Sequence, residues 1–232
     1  MDKKKRQFKY FWGLLLVGSF ILGIAIAYFK LDATYSGVIV STWFCILVLL
    51  FISLYMSMYH RINENLAKIN TILYVDLDAD LYIDKINELF KGLKSRNLKN
   101  VKYMNLGAAY CYKRNYEAAK ESFLMVNSKY LNRDYKIMYW ADLTFVYFNL
   151  GADDQAFKTI EDHNLLNENV SKIPGLDSLI EILRIYTLLR KNNISEAEDL
   201  YEFTRAKYEN NFNTQDFDAI YDEIQLKKEN YI

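Results

Sequence analysis

An all-α fold is the architecture this sequence predicts: an apolar two-helix transmembrane hairpin, then a helical repeat domain closed by a C-terminal capping helix. Three observations carry that expectation. The 232 residues include one proline and eight glycines, too few turn-formers for an all-β sandwich, which reverses direction every ~8–12 residues. Two long runs near the N-terminus hold no charge. Beyond them, apolar residues recur at three- and four-residue spacing, the period of a helix face, and no alternating strand pattern of useful length occurs.

The first element is a basic head, residues 1–10, where Lys3, Lys4, Lys5, Arg6 and Lys9 outweigh Asp2. The hairpin follows over residues 11–60. Its first span, 11–29, is uncharged over 19 positions; at ~1.5 Å per residue it reaches ~28 Å, close to the ~30 Å hydrocarbon core of a bilayer. Its second span, 37–60, is uncharged over 24 positions and has length to spare for tilt. Aromatic residues mark the edges: Tyr10, Phe11 and Trp12 at one end, Tyr28 and Phe29 at the other, then Tyr35, Tyr55 and Tyr59. An A-x-A pattern at Ala25–Ala27 lies inside the apolar run and is followed by bulky Tyr28 and Phe29, so the run reads as a span rather than a cleaved signal.

Small residues line one stripe of the first span, Ser19, Gly23 and Ala27, and Ser41 and Cys45 fall four apart in the second. Such spacing lets helices approach closely in lipid, within the hairpin or against another membrane protein. Neither span holds an aspartate, glutamate, lysine or arginine, which argues against an ion pathway through them. The basic head places the N-terminus in the cytosol, and a hairpin returns the body to the same side. The expected location is therefore the cell membrane, multi-pass, with both termini cytosolic.

Residues 61–232 form the body, with 23 basic and 27 acidic residues. No glycine falls between Gly37 and Gly92, so the second span should continue as helix to about residue 74, with Ile62, Leu66, Ile69 and Leu73 on one face. Asp76, Asp78 and Asp80 then mark the first turn as capping residues. Further breaks are expected at 95–100, 113–116, 127–133, 149–154, 164–175, 191–195 and 210–214. The last segment, 214–230, puts Phe217, Ile220, Tyr221 and Ile224 on one face and reads as the cap that closes a helical array.

A self-comparison finds a repeat. Tyr103-x2-Leu106-Gly107-x2-Tyr110 leads to Ala119-x3-Phe123, and Trp140-x2-Leu143-Thr144-x2-Tyr147 leads to Ala156-x3-Ile160, the two blocks offset by 37 residues. Small Gly107, Ala119 and Ala156 let paired helices touch, and the large rings fill the gaps between pairs. Weaker copies flank them at Leu73–Phe90 and Ile182–Tyr201. This pattern resembles the tetratricopeptide repeat (TPR), and the chain as a whole resembles bacterial membrane-anchored TPR proteins. The proline near each repeat end is absent, and Thr144 stands where the family has glycine. The resemblance implies a TPR-like helical solenoid that binds a protein or peptide on the concave face built by the first helix of each pair. Carried onto this chain, that face holds Met104, Ala108, Cys111 and Tyr112, then Met138, Ala141, Phe145 and Phe148. So apolar a groove suits an amphipathic helix, supplied by a partner, by a neighbouring copy or by the chain's own C-terminal helix.

Composition narrows the chemistry. Hydrophobic residues make up 52% and basic and acidic residues balance at 29 each, which excludes a mainly disordered chain and argues against nucleic acid. Two cysteines and two histidines, with no metal-ligand spacing, imply no metal and no disulfide framework. No phosphate loop, dinucleotide fingerprint or nucleophile elbow occurs, so neither an enzyme nor a cofactor is expected. The reading is a membrane-anchored cytosolic TPR-like scaffold that binds a protein or peptide at the inner membrane face. The alternative is an accessory subunit of a membrane transport or secretion complex that uses its hairpin as the interface. A homo-oligomer is open in either case.

Overall fold

The computed structural model describes residues 3–29, 32–167, 169–170, 173, 175–210 and 212–229. Among these residues ten α-helices and one short 3-10 turn make up the regular backbone, with no strand. Asp2, Lys30 and Pro174 lie outside the described residues, as do the side chains of the basic cluster Lys3–Arg6 and of Tyr10, Phe11 and Trp12. The chain divides into two compact units, residues 1–64 and 65–232.

The first unit contains α1 (Lys3–Tyr28) and most of α2 (Ala33–Tyr74), a helix of 42 residues. The second helix begins earlier than the uncharged run at 37, because the Asp32 carboxylate accepts from the amides of Thr34 at 2.9 Å and Tyr35 at 3.0 Å. A side-chain cap of this kind satisfies amides that the first helical turn cannot. Within α2 lies a stretch long and apolar enough to cross a membrane, none of it buried. The apolar part of α1, Leu15–Tyr28, is shorter than that length among the described residues. Of the two expected spans, one meets the requirement of length and apolarity among the described residues.

Polar side chains in α2 are absorbed by the helix itself. Ser41 Oγ donates to the Gly37 carbonyl at 2.7 Å and Thr42 Oγ1 to the Val38 carbonyl at 2.9 Å, the arrangement that hides hydroxyls in an apolar helix. Trp43 reaches α1, where its indole N–H donates to Ser19 Oγ at 3.2 Å. A Cβ added at Gly18 would stand 2.9 Å from that indole ring, whereas Gly23 faces open space. Ser19 of the small-residue stripe thus lies at a contact with α2, with Gly18 beside it. Cys45 is exposed. The helix runs without interruption through 58–68, where a flexible linker would need a break.

The second unit begins with the last turns of α2 and holds α3 (Ala79–Leu89), α4 (Arg96–Tyr112), α5 (Tyr116–Leu124), the 3-10 turn Ser128–Tyr130, α6 (Arg133–Asn149), α7 (Asp153–His163), α8 (Asp177–Arg190), α9 (Ile194–Tyr208) and α10 (Thr214–Glu229). Short polar side chains start several of them. Asp78, Asn115 and Asn132 accept from the amides of Leu81, Ala118 and Tyr135. Left-handed residues stop others, Gly151 after α6 at φ 67° and Asn164 after α7 at φ 49°, positions that glycine and asparagine tolerate best.

One expected break moves. The polar run 95–100 is helical from Arg96, because Leu98 and Asn100 are buried and tie the start of α4 to the loop after α5. The Asn100 amide donates to the Asn127 carbonyl and its oxygen accepts from the Asn127 amide, both at 2.9 Å. A buried asparagine satisfied on both sides stabilises a helix end that composition alone reads as a loop.

Helices pair in sequence, α4 with α5, α6 with α7 and α8 with α9, and the first members of successive pairs lie side by side, α4 on α6 and α6 on α8. Last in the array, α10 packs on α9 through fully buried Phe217, Ile220 and Ile224. Two clusters form the interior. One joins α4, α5 and α6 through Met104, Ala119, Phe123, Tyr139, Leu143 and Val146. The other joins α6 to α10, with Phe145, Phe148, Ile180, Leu183, Tyr201 and Phe217 among its members. Gly107 is a close approach within the first pair, where the Phe123 ring of α5 occupies the space a Cβ would take. Thr144, at the matching place in α6, is fully buried with its hydroxyl bonded to the Trp140 carbonyl at 2.7 Å.

Candidate functional site

The eight residues expected to line a groove lie on α4 and α6, and the structure sorts them into two groups. Met104, Ala141, Phe145 and Phe148 are buried. Met104 belongs to the interior of the first pair, and the other three to the larger cluster. Phe148 stacks on Tyr186 at 5.5 Å between ring centroids, and Phe145 meets Tyr116 edge-on at 6.1 Å. These four are core side chains. Ala108, Cys111, Tyr112 and Met138 stay half-buried.

What faces Tyr112 is the chain itself. Phe212, in the connection between α9 and α10, stacks on the Tyr112 ring at 5.0 Å with the planes 13° apart. It also meets Tyr74, at the end of α2, at 4.7 Å. Just beyond, Arg114 donates to the Gln215 carbonyl, 101 residues away in the chain, and its guanidinium lies 3.7 Å from the Asp216 carboxylate. The segment 212–216 therefore rests on the C-terminal end of α4. Further along α10, Glu223 pairs with Arg190, which also holds Asp153 at 3.0 Å, so α10 is fastened to α8 and to the start of α7.

Sequence reasoning did not single out Arg114, Asp142, Phe212 or Asp216. Asp142 carried a usable signal, since it is the one charged residue in the mostly apolar stretch Trp140–Phe148, in the middle of a helix. Among the described residues no hydrogen bond or ion pair reaches it. Burial pushes its carboxyl up to about 7, because an unpaired charge is costly in a poorly solvated place. Burial also raises Asp216 to about 6, with Arg114 opposing. The Cys111 thiol is pushed up by burial first, then by the carboxylates of Asp142 and Asp216. A raised thiol pKa means little thiolate, so Cys111 is a poor nucleophile.

Asn105, beside the expected groove, takes part in a polar contact below it. The Tyr82 hydroxyl lies 2.5 Å from Asn105 Oδ1 and 3.1 Å from Asn70 Oδ1, while the Asn105 amide donates to the Val101 carbonyl at 2.7 Å. Its hydrogen-bonding capacity is used within the fold. A surface hollow of about 310 Å³ is lined by Gly151–Gln155 and by none of the eight residues. Among the described residues no three histidine, cysteine or acidic side chains are grouped to hold a metal ion. No protein-family model, curated protein or solved structure matches this chain.

Proposed function

We propose that the protein is a membrane-anchored TPR-like scaffold whose helical body binds a protein or peptide partner at the inner face of the membrane. In this reading α1 and α2 form a transmembrane hairpin, and both termini are cytosolic. Support for anchoring comes from α2, whose apolar stretch is wholly unburied. Support for a repeat scaffold comes from one observation above the others: the first helices of successive pairs lie side by side, α4 on α6 and α6 on α8. That order matches the repeat spacing of the Tyr103 and Trp140 blocks. Half-buried Ala108, Tyr112 and Met138 then form the docking strip, and the 212–216 segment lies over its α4 end. A partner helix gains that end only by displacing Phe212.

Two measurements on native membranes test the reading. A photo-crosslinking residue at Met138 should capture a discrete partner, and Tyr112 should do so only when Phe212→Ala is also present. A cysteine at Thr34 should react with an impermeant thiol reagent in intact cells, and one at Asp218 should not. Labelling at Asp218 alone would remove the cytosolic partner, and capture that is equal at Met138 and at exposed Leu226 would remove the docking strip.

A further inference from the structure

Charge in the second unit is sharply segregated. Residues 91–136 contain eleven lysines and arginines against three acidic residues, whereas 137–232 contain nine against eighteen. The near-neutral total hides this. Folding gathers much of the basic stretch at one end of the α4–α5 pair. Lys91 and Lys94 lie in the turn before α4, Arg96 and Lys99 in its first turn. Lys129 lies in the 3-10 turn that follows α5, and Arg133 and Lys136 in the first turn of α6. These pieces are joined physically. Asn100 is bonded to Asn127, and the Arg96 guanidinium covers the Tyr130 ring at 5.3 Å.

All seven side chains are exposed, and among the described residues none forms an ion pair. Helix stability does not explain them. Cations in the first turns of α4 and α6 sit at the positive end of each helix dipole, where carboxylates are favoured. Asp134 alone follows that rule, in the first turn of α6, and Arg96 alone gains a bond within the fold, to the Tyr130 hydroxyl. A local rule broken by the other cations in one place marks a functional surface. Beside the cations stand exposed apolar side chains: Leu124 at 57%, Met125 at 60%, Tyr135 at 53% and Tyr130 at 45%.

We propose that this basic and apolar rim docks on the surface of an anionic lipid bilayer. Lipid phosphates supply the charge complement, and the acyl boundary beneath them takes Leu124 and Met125. A polynucleotide offers the same phosphates but no apolar layer for these side chains, and the acidic residues of 137–232 oppose it. The proposal rests on the anchoring part of the function above, which keeps a bilayer close at hand, and not on partner binding.

The test uses the full chain in lipid nanodiscs, with Cys45→Ala and Cys111→Ala and an environment-sensitive nitrobenzoxadiazole dye on Met125→Cys. Incorporation into phosphatidylcholine discs reads the anchoring by itself. The rim is read by the difference between those discs and discs enriched in phosphatidylglycerol. The expected result is a blue-shifted emission, protected from iodide, in the phosphatidylglycerol discs alone and reversed by raising the salt. Each of Lys94→Gln, Lys99→Gln and Lys129→Gln should lower the docked-to-free ratio by about fivefold. The salt titration of the otherwise unaltered rim keeps the test decisive if a variant misfolds. Equal emission in both kinds of disc overturns the proposal. So does a shift in neutral discs on adding polyglutamate, which would assign the rim to an acidic protein, or one that grows with the number of chains per disc, which would assign it to a second copy.

Discussion

At Gly107 the side chain of Phe123 from α5 packs against the backbone of α4, and the geometry sets the cost of any side chain there. A Cβ at Gly107 would stand 2.5 Å from Cζ of Phe123 and 2.6 Å from its Cε1. Carbon atoms in contact prefer about 3.5–4.0 Å, so the ring would have to retreat by roughly 1 Å. Phe123 has no room to do so. It is fully buried, packed with Ala119, Val126, Leu143 and Val146, and edge-on to Tyr139 at 6.4 Å. Overpacking of this kind costs about 1–3 kcal/mol. Alanine recovers about 0.5–1 kcal/mol over glycine in a helix interior. Gly107→Ala should therefore destabilise the body by about 0–2.5 kcal/mol. In a chain of this size that lowers Tm by up to roughly 10 °C. Trp140 lies in the same cluster, so its fluorescence, in a Trp12→Phe, Trp43→Phe background, follows the melting of the full chain in detergent. The decisive comparison is a double-mutant cycle. With Phe123→Leu in place the added methyl has room, and the same substitution should become neutral or stabilising. A raised Tm beside Phe123, or an equal change in both backgrounds, would refute the close approach.

Three further outcomes follow from the same packing. Asp142 has a folded pKa of about 7 against 3.8 for the free side chain, so its neutral form is favoured and the penalty grows as pH rises from about 4 to about 7. Asp142→Asn should raise Tm at pH 8 and have no effect at pH 4; destabilisation at pH 8 would mean the carboxylate has a partner. The His163 ring stacks on Trp140 at 4.1 Å, and burial lowers its pKa below 6.5. Protonation should quench Trp140 with a midpoint below that value, and His163→Gln should abolish the titration. Finally, with Cys45 replaced by alanine, Phe212→Ala and Arg114→Ala should each speed the labelling of Cys111 by releasing the 212–216 segment. Unchanged labelling rates would show that this segment does not shield α4.

Much of the architecture was legible because it is written in local chemistry. Asp78, Asn115 and Asn132 start helices through bonds to amides three residues on, and Gly151 ends one by adopting a conformation other residues avoid. The uncharged run of α2 and the small residues Gly107 and Ala119 act within a helix or across one short turn. Where a break was misplaced, at 95–100, the missing information was the bond between Asn100 and Asn127, which no local pattern encodes.

The site was less legible, because α4 and α6 are apolar on several faces. Periodicity shows that Met104, Phe145 and Phe148 are buried by something. It does not distinguish an empty groove from the neighbouring helices that cover them. Nor does it pair Arg114 with Gln215 or lay Phe212 on Tyr112, contacts that link segments a hundred residues apart. By itself the sequence determined the helical class, the apolar helix near the N-terminus and the order of the helices, all set by short-range hydrogen bonding and burial periodicity. Tertiary structure alone decided which apolar faces became core, which carboxylate was left unpaired at Asp142, and where lysines distant along the chain converge into one rim. Those outcomes depend on which helix packs beside which, and such pairings are chosen by shape and volume across the whole fold.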